Sequence, residues 1–168
     1  MASHTLTHPN LIEIDDEKEI IRQIEEDRLA LSELVGYDVV GFAYPGGGVN
    51  YSQRTKELIG NHTGIQYCRT NGRNETFDFP EDRFLVKANT SIDRPAELEN
   101  FHNTIDAFFA SKSDGPQLLF IMGHTYTTDY ENDRWMKIES IFEHISKNDD
   151  IFYGTNREIL LGGTYDAI

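Results

Sequence analysis

Val39-Val40-Gly41-Phe42-Ala43-Tyr44-Pro45-Gly46-Gly47-Gly48 is an apolar run that ends in a proline and three glycines, and it reads as a strand followed by a sharp turn. A helix is predicted immediately before it, from Glu17 to Val35. Asp16 is placed to cap that helix, Glu19 to complete a capping-box-like pair with it, and Gly36 to stop it. Ile20, Ile24, Leu31 and Leu34 recur at helical spacing as a buried stripe, with Glu25, Glu26 and Glu33 on the wet side.

The alternation continues outward. A short helix is expected near Gln53–Ile59 and a strand at Ile65–Thr70. Asn71–Arg83 is turn-rich and reads as a loop, followed by a weaker strand at Phe84–Asn89, which Lys87 interrupts. Pro95 suits a helix start, and Leu98, Phe101, Ile105, Phe108 and Phe109 follow at helical spacing. Leu118–Met122 is a continuous apolar run, as a strand covered on both faces would be. Trp135, Ile138, Phe142 and Ile145 mark a further helix, with Trp135 read as core, and a strand is expected at Ile151–Tyr153. Thr155 and Glu158 form a capping box for a last helix ended by Gly162-Gly163. Strands separated by helices predict an α/β fold with a largely parallel sheet, in one domain over residues 1–168.

Charge restricts the partners. The chain carries 29 acidic against 15 basic residues, a net charge of −14. Such a surface repels phosphate backbones and anionic headgroups, so neither nucleic acid nor a membrane is an expected partner. No apolar run is long enough to span a bilayer, and the N-terminus lacks a basic-then-apolar signal. The expected location is cytoplasmic as the sequence stands, or extracytoplasmic if a signal lies upstream. Cys68 is the sole cysteine and reads as a small core residue in a strand.

His4-Thr5-Leu6-Thr7-His8-Pro9 carries the chemistry. Two histidines four apart reach one cation if they lie on a helical turn. Neutral imidazole suits Zn²⁺ first, with Co²⁺, Ni²⁺ or Fe²⁺ as alternatives. Neither G-x-x-x-x-G-K-[ST] nor G-x-G-x-x-G is present around Gly46-Gly47-Gly48, and no G-x-S-x-G elbow occurs. His62, His102 and His144 sit in polar or helical surroundings and read as solvated surface residues.

Ser3-His4-Thr5-Leu6-Thr7-His8-Pro9 resembles the second motif, H-[ST]-x-x-H-P, of the polysaccharide deacetylases (carbohydrate esterase family 4, the NodB-homology domain). Gly41-Phe42-Ala43-Tyr44-Pro45-Gly46-Gly47 resembles the third motif in its F-A-Y-P branch. Leu119-Phe120-Ile121-Met122-Gly123-His124-Thr125-Tyr126 is similar to the fifth, and Asp149–Asn156 to the C-terminal strand of that branch. The resemblance implies an incomplete, distorted (β/α) barrel that lacks its first strand or strands and begins at the second motif. The expected activity is metal-dependent hydrolysis of a non-peptide carbon–nitrogen bond, removing N-acetyl groups from a polysaccharide or amino sugar.

By the same resemblance His4 and His8 are the metal ligands, His124 is the general acid, and the Gly46 N–H helps hold the oxyanion. Tyr44, Pro45 and Tyr126 are expected to line the substrate. His4, His8 and His124 are expected to meet at a cleft bordered by Gly46.

The departures are equally specific. The first motif, whose aspartates supply the base and the third metal ligand, would lie before Ser3, so metal is expected to bind weakly and activity to be low. Asp15 and Asp16 read instead as helix caps, Ala43 stands where many members carry an arginine, and no Asp-and-Trp fourth motif is identifiable between residues 71 and 116. The alternative is a non-catalytic remnant that binds carbohydrate or a partner. A barrel without its first strands would leave the edge near Val39–Tyr44 bare, and a homo-oligomer, most simply a dimer, is expected to cover it; the competing outcome is a monomer whose N-terminal segment, Met1 to Ile14, folds across the gap.

Overall fold

The longest helix forms where its termini dictate. In the computed structural model, which describes residues 1–130, 133–146 and 148–162, helix α1 runs Glu17–Val35. The Asp16 side chain caps it by accepting from the Lys18 N–H, and Gly36 closes it at a φ of 77°, a conformation glycine adopts at no steric cost. Glu19 does not complete a capping box. Its carboxylate is taken by Arg22 and by Gln23, one turn further on. The buried face is Ile20, Gln23, Ile24 and Arg28, and the stripe ends there, because Leu34 is 78% exposed. Arg28 tolerates burial because Glu25 pairs with it at 2.6 Å.

The remaining elements are β1 (Gly41–Ala43), α2 (Gln53–His62), β2 (Tyr67–Arg73), β3 (Val86–Ala88), β4 (Thr90–Ser91), α3 (Pro95–Glu99), α4 (Phe101–Ala110), β5 (Ile121–Met122), α5 (Arg134–Ile145) and α6 (Asn156–Leu161). They build a three-stranded sheet of order β1-β2-β3 and a two-stranded sheet of β4 and β5. β1–β2 and β4–β5 are both parallel. Parallel strands joined through helices confirm the mixed α/β class.

The chain divides into two compact units. Among the described residues, the first comprises Met1–Asn71, Pro80–Val86 and residues 154–162; the second comprises Gly72–Phe79 and those within Lys87–Tyr153. Leu11, Ile20, Ile24, Phe42, Tyr44, Leu58, Ile59, Ile65 and Cys68 form the core of the first. Leu98, Phe101, Ile105, Ile138, Ile141 and Ile145 form that of the second.

Several expectations give way here. The edge of β1 is not bare, because Ser3 forms a parallel bridge with Phe42 beside it. Asn100 divides the helix that opens at Pro95 into α3 and α4. β5 is only Ile121–Met122, and both residues are half-buried rather than covered. Ile151–Tyr153 is not a strand: Phe152 and Tyr153 are exposed, and the Tyr153 hydroxyl donates to the Ile145 carbonyl at 2.6 Å where α5 ends. Trp135 is exposed too, since Ile138, Ile141 and Ile145 form the buried face of α5. The capping box at Thr155 and Glu158 is present and Gly162 closes α6, while Gly163 lies outside the described residues.

Candidate functional site

In the first unit the segment before α1 lies along β1. The Ser3 N–H donates to the Gly41 carbonyl at 2.8 Å, and the Ala43 N–H donates to the Ser3 carbonyl at 2.9 Å. Asp27 on α1 fastens the same point by accepting from the Ser3 hydroxyl at 2.6 Å and the His4 N–H at 2.9 Å. His4 therefore projects directly beside Ala43. Its Nδ1 lies 2.7 Å from the Ala43 carbonyl oxygen. A carbonyl only accepts, so Nδ1 carries the hydrogen in that bond and the neutral ring keeps its lone pair on Nε2. Burial lowers the His4 pKa below the ordinary imidazole value, more than the Ala43 bond raises it, and the neighbouring His8 and Arg69 lower it further. Neutral imidazole is the form a metal requires.

His8 does not reach His4 by a helical turn. Residues 4–8 are a loop in which Thr5 (φ 71°) and His8 (φ 58°) both adopt the left-handed conformation that residues with a side chain rarely take. The Thr5 hydroxyl accepts from the His8 N–H at 3.1 Å. Gln23 straps the loop to α1, its side-chain oxygen accepting from the Thr7 N–H and hydroxyl and its backbone carbonyl from the Leu6 N–H. The two imidazole rings stand 4.8 Å apart at 74°, close enough to address one cation. Backbone strain of this kind concentrates at functional sites.

Tyr44-Pro45-Gly46 ends β1 in the same unit. Tyr44, expected to line the substrate, is 1% exposed and packs its ring on Phe42 and Tyr51. Pro45 is also buried, and Gly46 is the exposed member. Asn50, fully buried, donates its amide to the carbonyls of Tyr44 and Gly46 and so fixes the turn. The φ of 86° at Gly46 strains any residue with a side chain, so glycine is a backbone requirement here.

In the second unit the register of β4 on β5 sets the arrangement. Thr90 faces Ile121 and Ser91 faces Met122, so Asp93 and His124 each fall two residues past a paired position. Gly123 permits the approach, because a Cβ there would meet Ile92 Cγ1 at 2.0 Å. The Asp93 carboxylate accepts from the His124 N–H at 2.7 Å and from the Thr127 hydroxyl at 3.0 Å. His124 Nδ1 lies 2.8 Å from its other oxygen. With Nδ1 donating, Nε2 is the nitrogen left to exchange a proton. Tyr126 is exposed, its ring 5.0 Å from that of His124.

Asp93 is the residue that sequence reasoning missed. It lies within residues 71–116, where no fourth motif was identifiable; the available signal was its position at the end of one strand, matching His124 at the end of the next parallel one. Burial raises the Asp93 pKa, but the His124 N–H, the His124 ring and the Thr127 hydroxyl together hold it below 3.8. The bonds of this carboxylate thus stabilise the fold above its ordinary titration range and are lost as pH falls through the depressed value. In urea denaturation, Asp93→Asn is expected to be less stable than the parent at pH 7, with the gap closing below about pH 3.8. A gap of unchanged size at pH 3 would assign the acid sensitivity to other groups.

Among the described residues no group of three His, Cys, Asp or Glu side chains is placed to hold a metal ion. His4 and His8 fit as two ligands by donor type, tautomer and spacing. Asp16 is engaged as the α1 cap, as expected, and the Asp15 carbonyl accepts from Arg54. Among the described residues no helix is long and apolar enough to cross a membrane. Residues 1–68 match the family model for polysaccharide deacetylase, a stretch that contains the motifs of His4, His8 and Gly46 and ends before that of His124. No curated protein and no solved structure matches the chain.

Proposed function

We propose, from the match of residues 1–68 to the polysaccharide deacetylase family model, that this chain is a hydrolase acting on the N-acetyl amide of an amino sugar or polysaccharide. The observation that supports this reading most is the His4–His8 pair, with one ring fixed and neutral and the other 4.8 Å away. His4, through Nε2, and His8 would hold a divalent cation, Zn²⁺ first. Such a cation polarises an acetyl carbonyl and acidifies bound water. In the second unit, His124, oriented by Asp93, would exchange a proton at Nε2 as an acid–base group. The exposed Gly46 would offer its N–H to the oxyanion.

No carboxylate completes the histidine pair among the described residues, which favours low turnover in this chain and keeps binding without hydrolysis as the second reading. With Zn²⁺ or Co²⁺ and an N-acetylglucosamine oligomer, we expect acetate release that is slow and chelator-sensitive. Added formate, able to serve as an exogenous base, should increase it. Loss of a positioned base costs about 10²–10⁴-fold. Fast release without formate would refute the low-turnover expectation. No release under any of these conditions would refute the hydrolase reading and leave the binding one.

A further inference from the structure

The second unit contains a cleft of about 480 Å³ whose lining includes none of the motif residues. That volume lies within the range of ordinary small-ligand sites. One wall is a face of α4 and its N-cap. Asn100, Asn103, Thr104 and Ala107 follow at i, i+3, i+4 and i+7, while Phe101 and Ile105 on the other face are fully buried in the core. The rest of the lining comes from Arg73, Asn74, Glu75 and Phe77, from Asn89 and Thr90, and from Glu97.

Charge in the cleft is largely compensated. Arg73 Nη2 bonds both oxygens of Glu97, at 2.7 and 2.5 Å, and Arg94 adds a third contact to that carboxylate at 3.1 Å. Nη2 is thereby committed and the charge is matched by Glu97, while Arg73 Nη1 is buried without a partner and stays a donor for a ligand oxygen; the exposed Glu75 makes the rim unfavourable for an anion. Phe77 and Ala107 are the only purely hydrocarbon side chains of the lining, too little surface for a greasy ligand. Phe77 is held edge-on against Phe108 at 5.2 Å.

What remains, beside the unpartnered Arg73 Nη1, is a set of neutral amides and hydroxyls around one fixed aromatic ring. Asn103 donates to the Asn100 side-chain oxygen at 2.7 Å, which aligns the two amides and leaves the Asn103 oxygen as an acceptor and the Asn100 NH₂ as a donor. The Asn74 side-chain oxygen is taken by Thr76, so this amide offers its NH₂. Asn89 is spent on structure, donating to the Asn74 and Thr76 carbonyls and accepting from the Phe120 N–H, and it stiffens the wall. Donors and acceptors close together beside an aromatic face match the vicinal hydroxyls and the C–H face of a pyranose.

We propose that this cleft binds an uncharged sugar of one or two rings. The proposal does not depend on hydrolysis at the histidine motifs. In a titration of ¹⁵N-labelled protein followed by two-dimensional NMR, glucose, mannose and cellobiose serve as probes, with glucose 6-phosphate and glucuronate as charged controls. At least one neutral probe should shift the Asn74, Asn100 and Asn103 side-chain amide signals saturably at millimolar concentration. Asn103→Leu, at an exposed position the fold does not need, should weaken that binding roughly tenfold while leaving the rest of the spectrum in place, as expected for lost hydrogen bonds. Shifts only with the charged sugars, no saturation with any neutral probe, or equal binding by Asn103→Leu would each overturn the proposal.

Discussion

His4→Ala is expected to lower the affinity of the chain for Zn²⁺ or Co²⁺ by a hundredfold or more, and His8→Ala by a similar factor. The pair acts as a chelate, because the second imidazole binds a cation that the first already holds nearby. Even outer-sphere partners of metal ligands contribute about 10–100-fold, so loss of a ligand itself costs at least as much. His4 is the more constrained of the two, with Nδ1 bound to the Ala43 carbonyl and its backbone N–H bound to Asp27. His62, exposed on α2, is the control, and His62→Ala should leave the affinity unchanged. Isothermal titration with the full chain measures all three. Equal affinities for His4→Ala, His62→Ala and the parent would remove the histidine loop from consideration as a metal site.

The second large effect is on stability. Phe42→Ala should cost about 3–5 kcal/mol, the usual consequence of emptying a packed aromatic site. Phe42 is 1% exposed, lies edge-on to Tyr44 at 5.4 Å, and shares a core with Ile20, Ile24 and Leu58. It is also the residue that Ser3 bridges, so disorder at this position would reach His4, the next residue along the chain. Against a total of about 5–15 kcal/mol for a domain, the loss is a large fraction. Denaturant titration should show a markedly lower midpoint with an unchanged slope. A change under about 1 kcal/mol would mean that this core collapses around the missing ring.

Local chemistry made part of this fold legible in advance. Asp16 and Gly36 delimit α1, Thr155 with Glu158 opens α6, and Pro95 opens α3, because each satisfies or removes backbone groups within a few residues of itself. Strand length was not legible. An apolar run such as Leu118–Met122 reports burial preference, whereas a ladder depends on what lies beside it, and only Ile121–Met122 pair. Leu34 and Trp135 misled for a related reason: helical spacing gives a stripe but not how far the partner surface extends along it. At the candidate site, spacing and motif single out His4, His8 and Gly46, but they do not give the loop that joins the two histidines. Left-handed φ values at Thr5 and His8 contradict the preferences of both residues and are imposed by Gln23, Asp27 and Ala43 from outside the segment.

The two-residue ladder of β4 on β5 makes the Asp93–His124 couple sensitive to counting rather than to composition. Both side chains arrive at the same height because equal numbers of residues separate them from Ser91 and Met122. Deleting Ile92 would keep the carboxylate and the imidazole in the chain, yet it would turn the acid to the opposite side of the backbone. Deleting both Ile92 and Gly123 would shorten the two strand ends in step and preserve the alignment. Length changes here are therefore tolerated in pairs or not at all, which makes the spacing from strand to acid and from strand to histidine a quantity that must drift together.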